Sequence, residues 1–403
     1  MLEIDAALKL VLAEAQPCSS TTVALADALG LVLAESVVSD IDSPPHDKSI
    51  VDGYAIRAAD SAISGAVLHI LEEITAGQMP TRALSQGASS RIMTGAPLPE
   101  GADAVVMVEQ TELVSDDRVR ILQAKVKSGQ NIMRRASSLA SGQTVLQPGA
   151  VLRAIELGLL AEVGRSQVHV QPRPRVGVVA TGNELVPCQQ TPGPSQIRNS
   201  NSYMLSGLVS QAGGEPENLG IGRDDPEELR TLCRAGLECD VLLISGGVSA
   251  GVLDLVPAVL ESLGVRQVFH KINLKPGKPL WFGVKQHDER PSTLVFGLPG
   301  NPVSSLVCFE LFVRPALARL AGRKGDGLRR VAARLNCDFL HRGDRVTMFP
   351  AAVQQDDRGW LASPLNYRGS GDLRALSEAQ GLIYFPATER RYATGDEVSV
   401  LLF

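Results

Sequence analysis

The chain has 403 residues, of which 44% are hydrophobic and 21% are charged, and its formal net charge is −5 at pH 7. This length predicts two to four domains, and the balanced composition is typical of a soluble globular protein. The acidic balance and the aromatic content of only 4% argue against a nucleic-acid surface, which needs basic groups and stacking rings.

Cysteine usage and the apolar stretches bear on the compartment. The six cysteines include no Cys-x-x-Cys pair, which favours reduced thiols over a zinc site or a disulfide framework. Glu3 and Asp5 precede every basic residue, so the N-terminus does not resemble a signal peptide. The most apolar stretch, 241–260, is interrupted by glycines and by Asp254, so no membrane span is predicted. We therefore expect a cytoplasmic protein without membrane or nucleic-acid partners.

The N-terminal part of the chain alternates helical and extended patterns. Apolar residues at helical spacing predict an amphipathic helix over 2–14, and a second helical stretch is predicted over 23–29. A proline-rich break at Pro44 and Pro45 follows, and then Asp52-Gly53 precedes an alternating strand. By itself the Asp52-Gly53 pair is typical of a tight turn.

Short strands separated by Gly, Pro and Ser run from 54 to about 128, at 67–72, 104–108 and 119–122 for example, and predict a small, mostly β domain. A polar loop over 91–103 interrupts them. A basic turn at Arg134-Arg135 and a strand near Thr144 come next. A helix is then predicted over 153–163, ended by Gly164.

From residue 175 a pattern of strand, glycine turn and helix occurs three times, beginning at 175–184, 241–247 and 293–302. This alternation predicts a doubly wound, mostly parallel sheet with helices on both faces. In the second unit, Ser245-Gly246-Gly247 follows an apolar strand and precedes a helix over 255–263. Backbone N–H groups at such a turn can hold an anion. Since ligands of these sheets bind at the carboxyl ends of the strands, the turns should converge on one crevice.

The C-terminal part of the chain changes character again. The segment 321–330 is rich in glycine and basic residues and is interpreted as a solvated hinge. Short strands at 347–352, 381–385 and 397–403 then predict a small all-β terminal domain.

Polar residues at the predicted crevice suggest a chemistry. They are Glu184, the helix start Arg198-Asn199-Ser200-Asn201, Asp224, Asp225, Asp254, Lys275 and Lys278. Carboxylates beside glycine turns suit Mg²⁺, and lysines on a Pro-Gly turn suit an oxyanion or phosphate. Singly, each has a plainer interpretation: Asp224-Asp225-Pro226 and Asp254 as helix caps, and the lysines as solvated side chains. Together they indicate a phosphorylated or oxyanionic ligand with a divalent metal.

Seven motifs in this order resemble one family along nearly the whole chain. They are Pro45-His-Asp-Lys-Ser-Ile-Val-Asp-Gly-Tyr-Ala55, Arg91-Ile-Met-Thr-Gly95, Thr181-Gly-Asn-Glu-Leu185, Ile197-Arg-Asn-Ser-Asn201, Ser245-Gly-Gly-Val-Ser249, Lys275-Pro-Gly-Lys-Pro279 and Gly297-Leu-Pro-Gly-Asn-Pro302. The chain is similar in these motifs to the molybdopterin molybdenumtransferases, a family that includes bacterial MoeA and the E domain of gephyrin.

The resemblance implies a homodimer of elongated four-domain subunits. An elongated linker and dimerisation domain would cover 1–45 and 129–172, and a small β-rich domain 46–128. A molybdopterin-binding α/β domain, similar to MogA, would cover 173–322, and a C-terminal β domain 328–403. The implied reaction inserts molybdenum from molybdate into adenylylated molybdopterin, with Mg²⁺ as cofactor, hydrolysis of the adenylate and release of AMP.

The resemblance also implies a role for individual residues. The residues expected to act in catalysis are Asp52, Asp224, Asp254, Lys275 and Lys278. Those expected to hold the metal are Glu184, Asp224 and Asp254. Those expected to bind substrate are Thr94, Asn201, Ser245, Gly246, Gly247, Ser249, Pro299, Gly300 and Asn301. Asp52 and Thr94 should face the pocket of the neighbouring subunit, which gives Asp52 a function beyond its turn.

Two departures from the family pattern stand out. Ala136-Ser137-Ser138 follows Arg134-Arg135 where Gly-Glu-Asp is usual, so an acid is missing. Val252-Leu253 is apolar where an acidic or aromatic pair is usual. Two other functions are kept as alternatives: a molybdopterin adenylyltransferase, whose single domain shares the fold of 173–322, and a non-catalytic scaffold like gephyrin. Fold resemblance alone does not separate them.

Overall fold

The protein is described here by a computed structural model that covers residues 1–248, 255–325 and 329–403. The chain forms two compact units. The larger unit comprises Met1–Glu35, Pro148–Leu157 and Gln167–Phe403, and the smaller unit comprises Ser36–Gln147 and Gly158–Ser166. Ser249 and Asp254, two of the predicted site residues, lie outside the described residues.

The helices of the described chain are mostly short. The α-helices are Ile4–Glu14, Ala154–Glu162, Asn201–Gln211, Pro226–Gly236, Val256–Ser262, Pro302–Cys308, Arg314–Leu320 and Leu373–Leu376, with a π-helical turn at Phe309–Val313. Single 3₁₀ turns occur at Leu25–Asp27, Ala58–Ser61 and Val108–Gln110. Among the described residues, no helix has the length and apolarity needed to cross a bilayer.

The larger unit is built around a six-stranded mixed sheet. Its strands, in spatial order, are Glu215–Gly222, Arg175–Thr181, Val241–Ser245, Thr293–Leu298, Trp281–Lys285 and Arg266–His270. The first four are parallel and the last two form an antiparallel edge. In the central register Val178 pairs with Leu243, which pairs with Phe296. The predicted doubly wound, mostly parallel sheet is confirmed.

Burial explains why the central strands are apolar along their whole length. Successive side chains of a strand point to opposite faces. In Val241–Ser245, accordingly, Leu243 packs in one buried cluster, with Leu205 of Asn201–Gln211, whereas Leu242 packs in another, with Leu260 of Val256–Ser262. Because helices cover both faces, neither face of the strand tolerates polar residues.

The C-terminal part of the larger unit is a second six-stranded sheet. Its strands, in spatial order, are Leu274–Lys275, Val346–Asp356, Gly359–Pro364, Arg329–Leu335, Glu397–Leu402 and Gly381–Phe385. Gly381–Phe385 also pairs with Val346–Asp356, which closes five of the strands into a barrel. Phe385, fully buried, packs at its centre. The predicted all-β terminal domain is confirmed.

The remaining described strands of the larger unit form two strand pairs and one three-stranded sheet. The pairs are Leu185–Val186 with Ile197–Arg198, and Phe339–His341 with Arg390–Tyr392. A three-stranded sheet has the order Thr21–Ala24, Gln167–Gln171 and Val32–Leu33. Of the helix predicted over 23–29, only the 3₁₀ turn Leu25–Asp27 forms, because the β-branched Thr21, Thr22 and Val23 pair with Gln167–Gln171.

The smaller unit contains a six-stranded sheet. Its strands, in spatial order, are Ala104–Met107, Gly53–Ile56, Ala88–Ile92, Ala66–Ile74, Arg118–Ile121 and Thr111–Ser115. Two further pairs are Lys48–Ser49 with Ile132–Met133, and Val37–Val38 with Thr144–Leu146. The prediction of a small β-rich domain in this part of the chain is confirmed.

Candidate active site

A cavity of about 510 Å³ opens where the parallel strands of the larger unit end. Its lining consists of residues from three strand ends, from the start of Asn201–Gln211 and from the C-terminal part of the chain. The lining residues are Ala180, Thr181, Gly182, Glu184, Leu185, Ile197, Arg198, Asn199, Ser200, Asn201, Asp224, Ser245, Gly246, Gly247, Gly300, Asn301, Pro302, Gly371 and Leu373. We call this space the strand-end cavity. The expectation that the glycine turns converge is confirmed here.

The Ser245-Gly246-Gly247 turn forms one wall of the strand-end cavity. Gly246 has φ +99°, a conformation that favours glycine, and a Cβ there would lie 2.6 Å from the carbonyl oxygen of Thr181. A Cβ on Gly247 would lie 2.7 Å from Val256. These glycines let the turn pack directly against the neighbouring strand end and against the helix behind it.

Asn201 brings an unpaired acceptor into the strand-end cavity. Its Nδ2 donates to Ser245 Oγ and to the Gly300 carbonyl, both at 2.7 Å. Since a carbonyl can only accept, the amide orientation is fixed and Oδ1 is the free end. Asn201 is 9% exposed, and among the residues that the structure describes its buried Oδ1 has no hydrogen-bond partner. A buried acceptor without a partner is costly, so this atom calls for a ligand donor.

Glu184 and Asp224 supply the carboxylates of the strand-end cavity. Helix capping falls to the next residue, because Asp225 Oδ1 accepts from the backbone N–H groups of Glu227 and Glu228. Asp224 is thereby left for the cavity, with its backbone N–H donating to Asn183 at 3.1 Å. Asp225 is therefore the helix cap, and Asp224 is the one of the two aspartates that lines the cavity.

The two carboxylates fit a hard divalent cation by their chemistry. Both are exposed to the cavity, and within the described residues neither pairs with a lysine or arginine. Oxygen-only ligands are those that Mg²⁺ prefers, with water and substrate oxygens completing its shell. No group of three or more potential ligands occurs in the described part of the chain, and the described lining of this cavity contributes two carboxylates, Glu184 and Asp224.

The structure does not bring the predicted lysines to this cavity. Lys275 belongs to the short strand Leu274–Lys275, which pairs with Val346–Asp356 of the C-terminal sheet. This pairing holds Lys275 at the C-terminal sheet, and Lys275 does not line the strand-end cavity. The turn after it is held by Cys308, whose Sγ donates to the Gly277 carbonyl at 3.6 Å, and by the 3.0 Å bond from the Ile272 N–H to the Lys278 carbonyl. Lys275 and Lys278 are both exposed. A single crevice for all predicted residues is therefore not observed.

Lys275 lines another cavity, of about 450 Å³, which we call the basic cavity. The other lining residues are Phe339, Leu340, His341, Arg342, Thr347, Phe349 and Tyr367. Burial, together with the charge of Lys275, lowers the pKa of His341, so this imidazole stays neutral at neutral pH. Burial also raises the pKa of Tyr367. Lys275 and Arg342 are the cations of this cavity and suit an oxyanion.

One segment connects the two cavities. Tyr367 lines the basic cavity, and Gly371 lines the strand-end cavity. Four residues of extended chain span at most about 14 Å, so the two spaces are close. Asp372 accepts from the backbone N–H groups of Arg368 and Ala375, at 3.0 and 3.1 Å, which fixes this segment. The segment 368–372 is thus held in one conformation, and through Gly371 it forms part of the wall of the strand-end cavity.

The smaller unit holds the Asp52 and Thr94 pair. The backbone N–H and the hydroxyl of Thr94 donate to Asp52 Oδ1, at 2.7 and 2.8 Å. These bonds, that of the backbone first, lower the pKa of Asp52. Gly53 begins a strand paired on both sides, where a Cβ would lie 1.9 Å from the Val106 carbonyl oxygen. Glycine is thus required by strand packing, and the exposed Asp52 remains available to a ligand.

The Arg134-Arg135 turn in the smaller unit is neutralised by two acids. Asp47 binds Arg134 and the backbone N–H of Arg135, and Asp42 accepts from Arg135 Nε at 2.7 Å. The following Ala136 has φ +58°, where the family pattern has glycine. Alanine in this left-handed conformation is strained.

Sequence reasoning included Pro299, which does not line the strand-end cavity, and missed two residues that line the basic cavity. Pro299 is buried, and its carbonyl accepts a hydrogen bond from Ser305, so it supports the turn and is not among the lining residues. His341 and Arg342 line the basic cavity without a recognisable motif. The missed signal is tertiary, because these residues lie at the end of the strand Phe339–His341, far along the chain from Lys275, and only the fold brings them close to it.

The whole chain matches three family models in order. It matches the MoeA N-terminal region (domain I and II) over residues 2–164, the probable molybdopterin binding domain over 177–319 and the MoeA C-terminal region (domain IV) over 332–403. These matches cover both cavities and the Asp52 region.

Relatives and solved structures agree over the full length. A molybdopterin molybdenumtransferase of Nostoc is 36% identical over 381 residues, covering 93% of this chain and 86% of the relative. Another, of Bacillus subtilis, is 32% identical over 408 residues, covering 100% and 94%. The crystal structure of a molybdopterin biosynthesis MoeA protein from Pyrococcus horikosii has a TM-score of 0.85 at 33% identity, covering 100% and 99%.

Proposed function

The chain belongs to the molybdopterin molybdenumtransferase family and is an enzyme of molybdenum cofactor biosynthesis, and on that premise we propose how its site works. The substrates are adenylylated molybdopterin and molybdate. Molybdenum is inserted into the dithiolene while the adenylate is hydrolysed and AMP is released. The observation that carries this proposal is the strand-end cavity, where Glu184, Asp224 and the glycine turn meet beside an unpaired acceptor.

Each group in the strand-end cavity has a task in this reaction. The Ser245 hydroxyl accepts from Asn201, so its own proton is available to donate to a substrate oxygen. Glu184 and Asp224 would hold Mg²⁺, which when bound supplies positive charge against the phosphates. A carboxylate oxygen that does not hold the ion can accept a hydrogen bond from water and orient it for attack on phosphorus, so that AMP can leave. Asp254 would join this acidic set.

We place molybdate in the basic cavity. The dianion needs cations and hydrogen-bond donors, and Lys275 and Arg342 supply both there. Lys278, at the exposed end of the same turn, would attract the anion from solvent. Because the short segment from Tyr367 to Gly371 joins the linings of the two cavities, molybdate in the basic cavity lies close to the pterin into which molybdenum is inserted.

The proposed assembly is a homodimer in which Asp52 and Thr94 of one copy complete the site of the other. The support is that this pair is exposed and that two hydrogen bonds from Thr94 hold the Asp52 carboxylate in place. Six free cysteines suit the reducing cytoplasm, the compartment we propose.

Mixed dimers test the shared site. Asp52→Ala and Asp224→Asn subunits, each nearly inactive alone, are co-expressed with different tags. Random pairing leaves one intact site in half of the dimers, so about one quarter of wild-type activity should return. Each variant co-expressed with itself is the control. No recovery in isolated mixed dimers would contradict a site shared between subunits.

A further inference from the structure

A third cavity of the larger unit adjoins the strand-end cavity and has no role in the reaction as described so far. It measures about 470 Å³ and shares Leu185 and Asn199 with the strand-end cavity. Its other lining residues are Pro187, Cys188, Tyr203, Asn218, Gly220, Ile221, Arg223 and Glu228. We call it the Tyr203 cavity. Its volume lies within the range of small-molecule sites.

Tyr203 gives this cavity a stacking surface. The residue lies in the first turn of Asn201–Gln211 and is 56% exposed, although it is a large aromatic side chain. Its hydroxyl is hydrogen-bonded to Cys188 Sγ at 3.1 Å, which restrains the ring. A restrained and exposed ring can stack on a flat heterocycle at little entropic cost.

Polar groups around the ring suit a nucleoside phosphate. Asn218 Oδ1 accepts from the Gly220 N–H at 3.1 Å, so its NH₂ group can donate to a base. Arg223 is exposed and adjoins Asp224 in sequence, and the two residues line the two neighbouring cavities. A phosphate that crosses between the cavities would therefore pass a cation and a carboxylate in turn.

The lining of the strand-end cavity favours a different kind of ligand group from the Tyr203 cavity. No aromatic side chain occurs among its described lining residues, so it offers no comparable stacking surface. Its buried Asn201 Oδ1 needs a hydrogen-bond donor and would repel a phosphate oxygen. Ring N–H and amino groups of a pterin provide such donors.

We propose that the two halves of adenylylated molybdopterin occupy these two cavities, with the pterin at Asn201 and the adenosine stacked on Tyr203. This inference rests on the proposed function. The anhydride then lies between the cavities, beside Asp224 and Arg223. Hydrolysis adds water across the bridging P–O–P link, so the pterin keeps one phosphate and AMP leaves with the other. The leaving half is the one in contact with an exposed ring.

Binding of AMP alone tests the assignment without the reaction. Calorimetry on the full chain should show AMP binding that Tyr203→Ala weakens on the order of 10-fold, the scale of one lost base stack. Tyr203→Phe keeps the ring and loses only the restraint from Cys188, so it should weaken AMP binding far less than Tyr203→Ala does. A free pterin should show the opposite dependence, with Asn201→Leu weakening its binding and Tyr203→Ala leaving it unchanged. Circular dichroism confirms that each variant is folded.

The outcomes separate the inference from the proposed function. AMP affinity that is unchanged in Tyr203→Ala, or absent in the wild type, overturns the assignment. So does AMP binding that depends on Asn201 while pterin binding depends on Tyr203. AMP release from adenylylated molybdopterin is measured on the same wild-type preparation. If it fails, the proposed function falls, whereas release with Tyr203-independent AMP binding defeats only the inference.

Discussion

The strand-end cavity and the basic cavity differ in charge and in origin. The first is formed by the turns after the parallel strands and carries Glu184 and Asp224 with one cation, Arg198. The second is formed by Lys275 and by residues of the C-terminal part of the chain, and its described lining carries Lys275 and Arg342 with no acid. Opposite charges kept in separate spaces do not neutralise each other by ion pairing. A metal with phosphate and a free oxyanion can therefore be held at neighbouring sites with independent affinities.

The largest expected effect comes from the acidic side. Asp224→Asn should lower the rate of AMP release about 100-fold, the scale of losing a preorganised electrostatic contact. The concentration of molybdate needed for half-maximal rate should stay the same. Steady-state kinetics measures both. Glu227→Gln, an exposed acid of the following helix, is the matched control. A variant with changed molybdate dependence and normal AMP release would reverse the assignment of the two cavities.

The rigid wall of the strand-end cavity gives the next effect. Gly246→Ala places a Cβ against Thr181 in a left-handed conformation and should cost about 2 kcal/mol in free energy of unfolding. Gly207→Ala is the control, because Gly207 lies in a helix with open space around it and alanine should stabilise it. Urea denaturation compares the two. Equal stability of both variants would show that the wall relaxes.

A substitution in the basic cavity should change the molybdate dependence of the reaction. Lys275→Ala should raise the molybdate concentration for half-maximal insertion about 10-fold, as expected for one lost charge-assisted contact. Binding of AMP should be unaffected. Lys9→Ala, on an exposed part of the first helix, removes the same charge away from the basic cavity's lining and should change neither quantity. Unaltered molybdate dependence in Lys275→Ala would remove the basic cavity from the reaction.

A smaller effect is expected on stability alone, at a turn whose residues line neither cavity. Ala136→Gly relieves the left-handed alanine of the smaller unit and should raise the free energy of unfolding by about 0.5 to 1 kcal/mol. Ala140→Gly, in the same segment without a positive φ, should not stabilise. Loss of stability in Ala136→Gly would show that this turn is not strained.

The smallest effect concerns Asp52. Thr94→Val removes one of two hydrogen bonds to the carboxylate, so the pKa of Asp52 should rise toward its ordinary value while the backbone bond keeps it lowered. Because the pKa of Asp52 is lowered in the folded protein, its ionised carboxylate stabilises the fold, and this stabilisation is lost as the pH falls through the folded-state pKa. In the variant that pKa is less lowered, so the stabilisation should be lost at a higher pH. Carboxyl ¹³C NMR follows the titration, and Glu72 serves as an internal control. An unchanged titration would exclude the hydroxyl bond.

Sequence reasoning reached the elements whose determinants are local. The apolar run at 241–245, the glycines after it and Asp225 before Pro226 each act within their own neighbourhood of the chain, and each forms the predicted structure. The second helix failed at Thr21–Ala24, because the partner strand Gln167–Gln171, distant in sequence, decides its conformation. The single crevice failed for the same reason, since the pairing of Lys275 with Thr347 directs the lysine to the basic cavity.

The central claim is that this chain couples release of AMP to insertion of molybdenum. The direct test incubates purified protein with adenylylated molybdopterin, Mg²⁺ and molybdate, and measures AMP by chromatography and pterin-bound molybdenum by mass spectrometry. We expect one AMP for each molybdenum inserted, with the rate lost in Asp224→Asn and the molybdate dependence shifted in Lys275→Ala. AMP release no higher than in protein-free controls would contradict the account.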